Sequence, residues 1–280
     1  MTVGRVIREV AARLAARHAA HEARFLVSGV LGLRTVDFGA RSSRAVDQEG
    51  LRRVGDSVER RLAGEPLAYI LGNAAFRELE LSVDGRVLIP RPETELVVEQ
   101  VMKLPVPAAG RVLEVGTGSG AIALSLLHEG RFQRVVATDL SAAALEVAAA
   151  NAGALGLAER VDFRLGDAYD PVGSGETFDV VVSNPPYVAE SERGFLPAEV
   201  ERWEPATALF AGDGLAVIGR LVAGAGSVLA PGGWLVLEIG ADQGVAARGA
   251  CVAAGLRGVR VVPDLAGRDR MVVARAARGE

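Results

Sequence analysis

From Gly110 onward the chain alternates short apolar runs with longer helical stretches, and this alternation constrains the fold more than any other feature. The runs cover 111–115, 134–138, 161–165, 178–183, 234–239, 258–262 and 271–274. Strands covered on both faces read as continuous apolar runs, because neither face meets water. Helical spacing fills the intervals near 120–129, 141–155, 214–229 and 242–254. A strand–helix–strand repeat of this kind predicts an α/β fold, a doubly wound and mostly parallel seven-stranded sheet. No helical stretch separates the last two runs, so an antiparallel edge pair is expected there.

The first 72 residues follow another pattern. Val6, Ile7, Val10 and Leu14, then Phe25, Leu26, Val30 and Leu31, recur at helical spacing. A further helical stretch runs from about 47 to 62, and Gly64-Glu65-Pro66 ends it. Next, Glu78-Leu79-Glu80-Leu81-Ser82-Val83 alternates, Asp84-Gly85 is a turn signal, and Val87-Leu88-Ile89 follows. The expected organisation is a helical bundle over 1–72, a linking β-hairpin over 73–92, and the α/β domain over 93–280.

Charge and composition narrow the function. The formal net charge of −4 argues against stable nucleic-acid binding, which usually needs a basic excess to neutralise phosphates. The one cysteine, Cys251, allows neither an internal disulfide nor a cysteine-rich metal site. His18 and His21 could share a helix face, but no third ligand accompanies them, so no metal is expected. His128 reads as a polar residue at a helix C-terminus. Arginines and glutamates interrupt the first thirty residues, unlike a signal peptide, and Pro231-Gly232-Gly233 breaks the apolar stretch 221–237. No membrane association is expected, and the cytoplasm is the expected compartment.

Two segments carry chemistry. Leu113-Glu114-Val115-Gly116-Thr117-Gly118-Ser119-Gly120 sits at the end of the first strand and opens a helix. Its glycines permit a tight turn and close backbone approach to a ligand. Asp139, at the end of the second strand, can accept hydrogen bonds from both ribose hydroxyls of a bound nucleoside. Asp167 and Ala168, after the third strand, suit an adenine amino group and its ring. Gly116, Gly118 and Ala121 also fit a dinucleotide fingerprint, so this segment alone leaves methyl transfer, dinucleotide binding and a plain turn all open.

Asn184-Pro185-Pro186-Tyr187 follows the fourth strand directly, beside that loop. An amide or aromatic-amine nitrogen is a weak nucleophile because its lone pair is delocalised. The Asn184 side-chain oxygen and the Pro185 carbonyl can each accept one of its hydrogens. The stiff proline pair fixes the angle between these acceptors, and Tyr187 can lie on the flat face of the group. Such acceptors also stabilise the positive charge that develops on nitrogen. A hydride-transfer enzyme has no use for this arrangement, so the pair of segments reads as an S-adenosyl-L-methionine-dependent methyltransferase.

Beyond these segments the chain resembles the release factor glutamine methyltransferases, the PrmC/HemK family. The resemblance runs through 64–72, Leu88-Ile89-Pro90-Arg91-Pro92-Glu93-Thr94-Glu95, the glycine loop, 137–141, 183–187, Glu204-Pro205, 212–215 and 266–270. It implies a class I, Rossmann-like methyltransferase fold. It also implies transfer of a methyl group to the amide nitrogen of the glutamine in the Gly-Gly-Gln motif of class 1 peptide chain release factors. The site residues implied are Gly116, Thr117, Gly118, Ser119, Gly120, Asp139, Asp167, Ala168 and Asn184 for the cofactor. Asn184, Pro185, Pro186 and Tyr187 stand for the acceptor and catalysis, with Arg91 and Glu93 in the active-site wall. The N-terminal bundle becomes a partner-docking element. Related enzymes methylate glutamine in ribosomal proteins or amino groups of nucleic-acid bases, and both are the alternatives; the segment 91–95 favours release factors.

Overall fold

The computed structural model describes residues 1–33, 42–107 and 109–277. They fall into two compact units, Met1–Asn73 with Pro197–Trp203, and Ala74–Leu196 with Glu204–Glu280.

In the first unit, helices span Val3–Leu14, Ala23–Val30, Gln48–Leu62 and Leu67–Leu71. Val3, Val6, Val10 and Leu14 form one stripe and pack on Leu26, Val27, Val54 and Val58. Each such buried side chain contributes about 1.5–3 kcal/mol, which is what holds short helices together. Asp47 caps the third helix by accepting from the Gly50 N–H at 2.7 Å, and Gly64, at φ 98°, ends it as expected. The Arg61 guanidinium is buried between Glu22, at 2.5 Å, and Glu199, at 2.8 Å. His18 adopts φ 57° at a break between two 3-10 turns, so it and His21 do not share the expected helix face. Residues 34–41, within the expected bundle, lie outside the described residues.

The second unit holds the sheet. A short pair, β1 (Asn73–Phe76) and β2 (Leu79–Ser82), precedes it. The sheet strands are β3 (Val112–Val115), β4 (Val135–Asp139), β5 (Val161–Leu165), β6 (Phe178–Ser183), β7 (Leu229–Glu238), β8 (Arg257–Pro263) and β9 (Asp269–Arg275). Their order is β5-β4-β3-β6-β7-β9-β8, parallel except that β9 runs antiparallel to both neighbours. The seven strands and the antiparallel edge match the sequence expectation. Successive residues face opposite sides, so Val112 joins one apolar layer and Leu113 the other, as do Val236 and Leu237 in β7. The strand order reverses between β3 and β6, where open α/β sheets place their ligands.

Three local differences bear on the site. The strands of the hairpin are 73–76 and 79–82, turning at Arg77 with φ 50°, not 78–83 with 87–89. Asp84 does make its turn, accepting from Val87 N–H at 3.1 Å, but the segment after it is not a strand. Pro90 and Pro92 lack the donors a strand needs, and the Ile89 N–H goes to the Glu204 carboxylate at 3.1 Å. A helix, Pro92–Met102, then begins with proline in its first turn and buries Thr94, Val97, Val98 and Val101. Finally, β7 starts at Leu229 rather than Trp234, with a register shift opposite Phe178–Val180 that accommodates Pro231-Gly232-Gly233.

Candidate active site

A cavity of about 550 Å³ opens at the carboxyl ends of β3, β4 and β6. Gly116, Gly118 and Asp139 line it on one side, and Asn184, Pro185 and Pro186 on the other. The structure thus brings the two sequence segments to one space.

Local chemistry shapes the glycine loop. Gly116 and Gly118 adopt φ 74° and 55°, and an added Cβ at either would meet no atom within 4 Å. The backbone there is left-handed and bare, free to lie against a ligand. Gly120, at φ 85°, caps the helix Ala121–His128 but lies off the cavity lining; a Cβ there would come within 2.9 Å of Leu124. His128 closes that helix, as expected. The buried Glu114 carboxyl braces the loop from beneath, accepting from Thr117 Oγ1 at 2.6 Å and Ala123 N–H at 3.1 Å. Burial pushes its pKa up to about 8. Ser119 is buried, and its carbonyl accepts from Asn151 Nδ2 at 2.9 Å.

Asp139 ties the loop to β4. Its Oδ2 accepts from Gly118 N–H at 2.9 Å and its Oδ1 from Ser141 N–H at 2.9 Å. Asp167 and Ala168 line the cavity, with Ala168 left-handed at φ 47°. The Asp167 carboxylate is held by Arg220 at 2.6 and 3.2 Å, a partner absent from the sequence reading.

The asparagine–proline loop is anchored from behind. Asn184 Nδ2 donates to Thr94 Oγ1 at 3.0 Å, and the Thr94 hydroxyl donates to Glu238 Oε2 at 2.7 Å. The Tyr187 hydroxyl donates to Glu238 Oε1 at 3.2 Å. Gln243 Nε2 donates to the Tyr187 carbonyl at 2.9 Å and to the Gly214 carbonyl at 3.1 Å. Tyr187 is not among the residues that line the cavity. Its ring packs against the sheet's apolar layer, and its hydroxyl takes the Glu238 carboxylate as partner. Burial raises the pKa of both groups, that of Glu238 to about 7.

Arg91 lines the cavity while its guanidinium meets the fully buried Glu204 carboxylate at 2.5 Å. Glu93 is half-buried and is not among the residues that line the cavity. Its charge acts on Glu238 and Arg270. Sequence reasoning assigned nothing to Thr94, Glu238, Gln243, Arg220 or Glu204. Glu238 had a readable signal: it is the one charged residue in the apolar run 234–239, and a carboxylate in a doubly covered strand must find donors.

The cavity fits a nucleoside carrying an alkyl tail. Bare backbone lies beside Gly116 and Gly118, a carboxylate with free lone pairs projects from β4, and apolar surface surrounds Ala168. Residues 92–198 match the Methyltransferase small domain family, and residues 5–72 match the PrmC N-terminal domain family. A solved methyltransferase from Pyrococcus furiosus superposes with a TM-score of 0.51 at 17% identity, covering 82% of this chain and 100% of that one, a likeness of fold. The release factor glutamine methyltransferase of Xylella fastidiosa (strain 9a5c) is 48% identical over 220 residues, 78% of this chain and 79% of the relative. That of Moorella thermoacetica is 42% identical over 280 residues, 98% of each chain. With identity of this degree running through bundle and sheet alike, the chain belongs to the release factor glutamine methyltransferase family.

Proposed function

We propose that this methyltransferase moves a methyl group from S-adenosyl-L-methionine to the side-chain amide nitrogen of the glutamine in the Gly-Gly-Gln motif of class 1 release factors. The observation that carries the reading is the shared cavity. It joins a bare glycine turn and the Asp139 carboxylate to an Asn184 whose Nδ2 is already committed to Thr94. An asparagine tied down by its nitrogen has its Oδ1 left for an incoming N–H.

When bound, S-adenosyl-L-methionine would supply an electrophilic methyl carbon on a sulfonium. Gly116 and Gly118 would hold it through backbone, Asp139 through the ribose hydroxyls, and Asp167 and Ala168 at the adenine. Asn184 Oδ1 and the Pro185 carbonyl would each accept one hydrogen of the glutamine amide, turning its nitrogen toward that carbon. The same two acceptors would stabilise the charge that builds on nitrogen as the N–C bond forms and the S–CH3 bond breaks, the thioether leaving with the electron pair and the extra amide proton passing to water. Tyr187 contributes from beneath, as an anchor of the loop on Glu238. The wall includes Arg91, held by Glu204. No helix of the described residues is long and apolar enough to cross a membrane, and the cytoplasm is the compartment we assign.

The test is mass spectrometry of a purified release factor after incubation with the enzyme and S-adenosyl-L-methionine. A gain of one methyl on the Gly-Gly-Gln glutamine is expected. Methylation of a ribosomal protein or of nucleic acid, with the release factor untouched, overturns the substrate assignment.

A further inference from the structure

Asparagine's two ends are nearly equal in size and opposite in hydrogen bonding, so a loop that relies on its oxygen must prevent the amide from turning over. The residues that could do this sit on two other elements, Thr94 on the cavity lining and Glu238 behind it. Thr94 is in the first turn of the helix Pro92–Met102, and Glu238 ends β7. Both are buried.

We propose that Thr94 and Glu238 are positioning residues that set the direction of a hydrogen-bond chain and so keep Asn184 Oδ1 facing the acceptor amide. An ionised carboxylate only accepts. Glu238 Oε2 therefore compels the Thr94 hydroxyl to donate to it, at 2.7 Å. With its one hydrogen spent, Thr94 Oγ1 can only accept, and its partner at 3.0 Å is Asn184 Nδ2. The second carboxylate oxygen takes the Tyr187 hydroxyl at 3.2 Å, so one side chain governs both ends of the loop. Protonating Glu238 removes the constraint. Thr94 can then accept from the carboxyl and donate to Asn184 Oδ1, which turns the amide over and points its N–H groups at the substrate's own N–H groups.

The device is poised by its surroundings. Burial opposes ionisation, as does the charge of Glu93, while Thr94, Tyr187 and the buried Arg270 favour it; the balance sets the Glu238 pKa at about 7. Arg270 is held in turn by Asp264 at 3.3 Å.

The inference rests on the reading of Asn184 as the residue that holds the acceptor, and the test separates the two. Thr94→Val, Thr94→Ser and Glu238→Gln are compared with the wild type for kcat and KM on release factor between pH 6 and 8.5. The side-chain NH2 signals of Asn184 are followed by NMR over the same range. In the wild type, kcat is expected to rise with pH through about 7, and the Asn184 signals to shift with the same midpoint. Thr94→Val should lower kcat by about tenfold to a hundredfold while KM for S-adenosyl-L-methionine stays within about twofold. Thr94→Ser should restore most of the loss. Glu238→Gln should abolish both the pH limb and the NMR shift, and it carries the test should Thr94→Val fail to fold. A flat wild-type profile with Asn184 signals insensitive to pH overturns the proposal, as does Thr94→Val at full kcat. An intact NMR titration without methyl transfer to release factor supports the orienting chain and overturns the acceptor reading alone.

Discussion

Replacing Asp139 tests the cofactor half of the site most sharply, because the structure separates its two duties. The carboxylate holds the glycine turn through Gly118 N–H and the next helix through Ser141 N–H, both at 2.9 Å. Each oxygen keeps a further lone pair for a ribose hydroxyl. Hydrogen bonds to charged groups contribute about 1.5–3 kcal/mol each. The half-buried site lets water take over the freed backbone donors, and two bonds to one carboxylate share its charge, so the loss stays below their sum. Asp139→Ala should weaken S-adenosyl-L-methionine by about 1–3 kcal/mol, roughly 5- to 150-fold in Kd. Asp139→Asn sharpens the test. It keeps the size of the side chain, but whichever way its amide turns, an NH2 faces either Gly118 N–H or Ser141 N–H, donor against donor. The asparagine variant should therefore bind no better than the alanine one. Isothermal titration calorimetry with S-adenosyl-L-methionine reads both. Unchanged affinity in the alanine variant, or wild-type affinity in the asparagine variant, refutes the reasoning.

Other perturbations follow from the same geometry. Asn184→Ala should abolish methyl transfer while cofactor binding stays measurable by calorimetry, since its proposed task is to orient the acceptor. Arg220→Ala frees the Asp167 carboxylate from an exposed ion pair, which should tighten the cofactor by at most about fivefold; a weaker Kd would show that Arg220 itself holds the ligand. Arg61→Ala strands Glu22 beside an emptied site and should destabilise the first unit by about 2–4 kcal/mol in urea unfolding, with cofactor affinity unchanged. The ligand-free fold should lose stability as pH rises from about 5 to 8.5. Glu114 and Glu238 hold their protons to about 8 and about 7 when folded, but release them near 4.5 when unfolded. Each carboxyl costs about 3–5 kcal/mol across its own window, so Glu238→Gln should make the curve of denaturation midpoint against pH shallower below about pH 7 and leave the Glu114 share, which runs to about pH 8.

Much of this architecture was legible in the sequence, and for a physical reason. Parallel strands covered on both faces leave unbroken apolar runs, so β5 and β6 match the expected spans and the four helices expected in the α/β domain fall within two residues of theirs, whereas Pro92–Met102 and the short helices Ala198–Trp203 and Ala206–Leu209 had no counterpart in that reading. The glycine loop and the asparagine–proline loop were found because each breaks a local rule at a strand end. Segments whose signals point two ways were not legible. Val83 and Val87 are buried and flank a true turn at Asp84, which imitates a hairpin. The donors that would pair the second arm are missing at Pro90 and Pro92 or committed to Glu204, a residue far along the chain. Tyr187 shows the same limit: an aromatic residue beside a cavity reads as a lid until its hydroxyl partner in β7 is known.

What the sequence conceals most thoroughly is that the site is built on buried carboxyl groups. Glu114 braces the cofactor turn and Glu238 the acceptor loop, both beneath surfaces made largely of backbone. Glycine turns and proline carbonyls place their own atoms, but they cannot choose between the two faces of an asparagine amide; only a group with fixed acceptor character does that. The fold accepts a cost for it. A carboxylate inside an apolar layer is least stable in the ionised state, the very state that orients the chain through Thr94 to Asn184. Stability and transfer rate are thus set against one another by one proton. Through the interval in which Glu238 ionises, the ligand-free protein should become easier to unfold while kcat climbs. Glu238→Gln should therefore remove the pH limb of kcat together with the Glu238 share of the stability loss, whereas Thr94→Val, which leaves the carboxyl in place, should lower kcat while the fall in stability with pH persists.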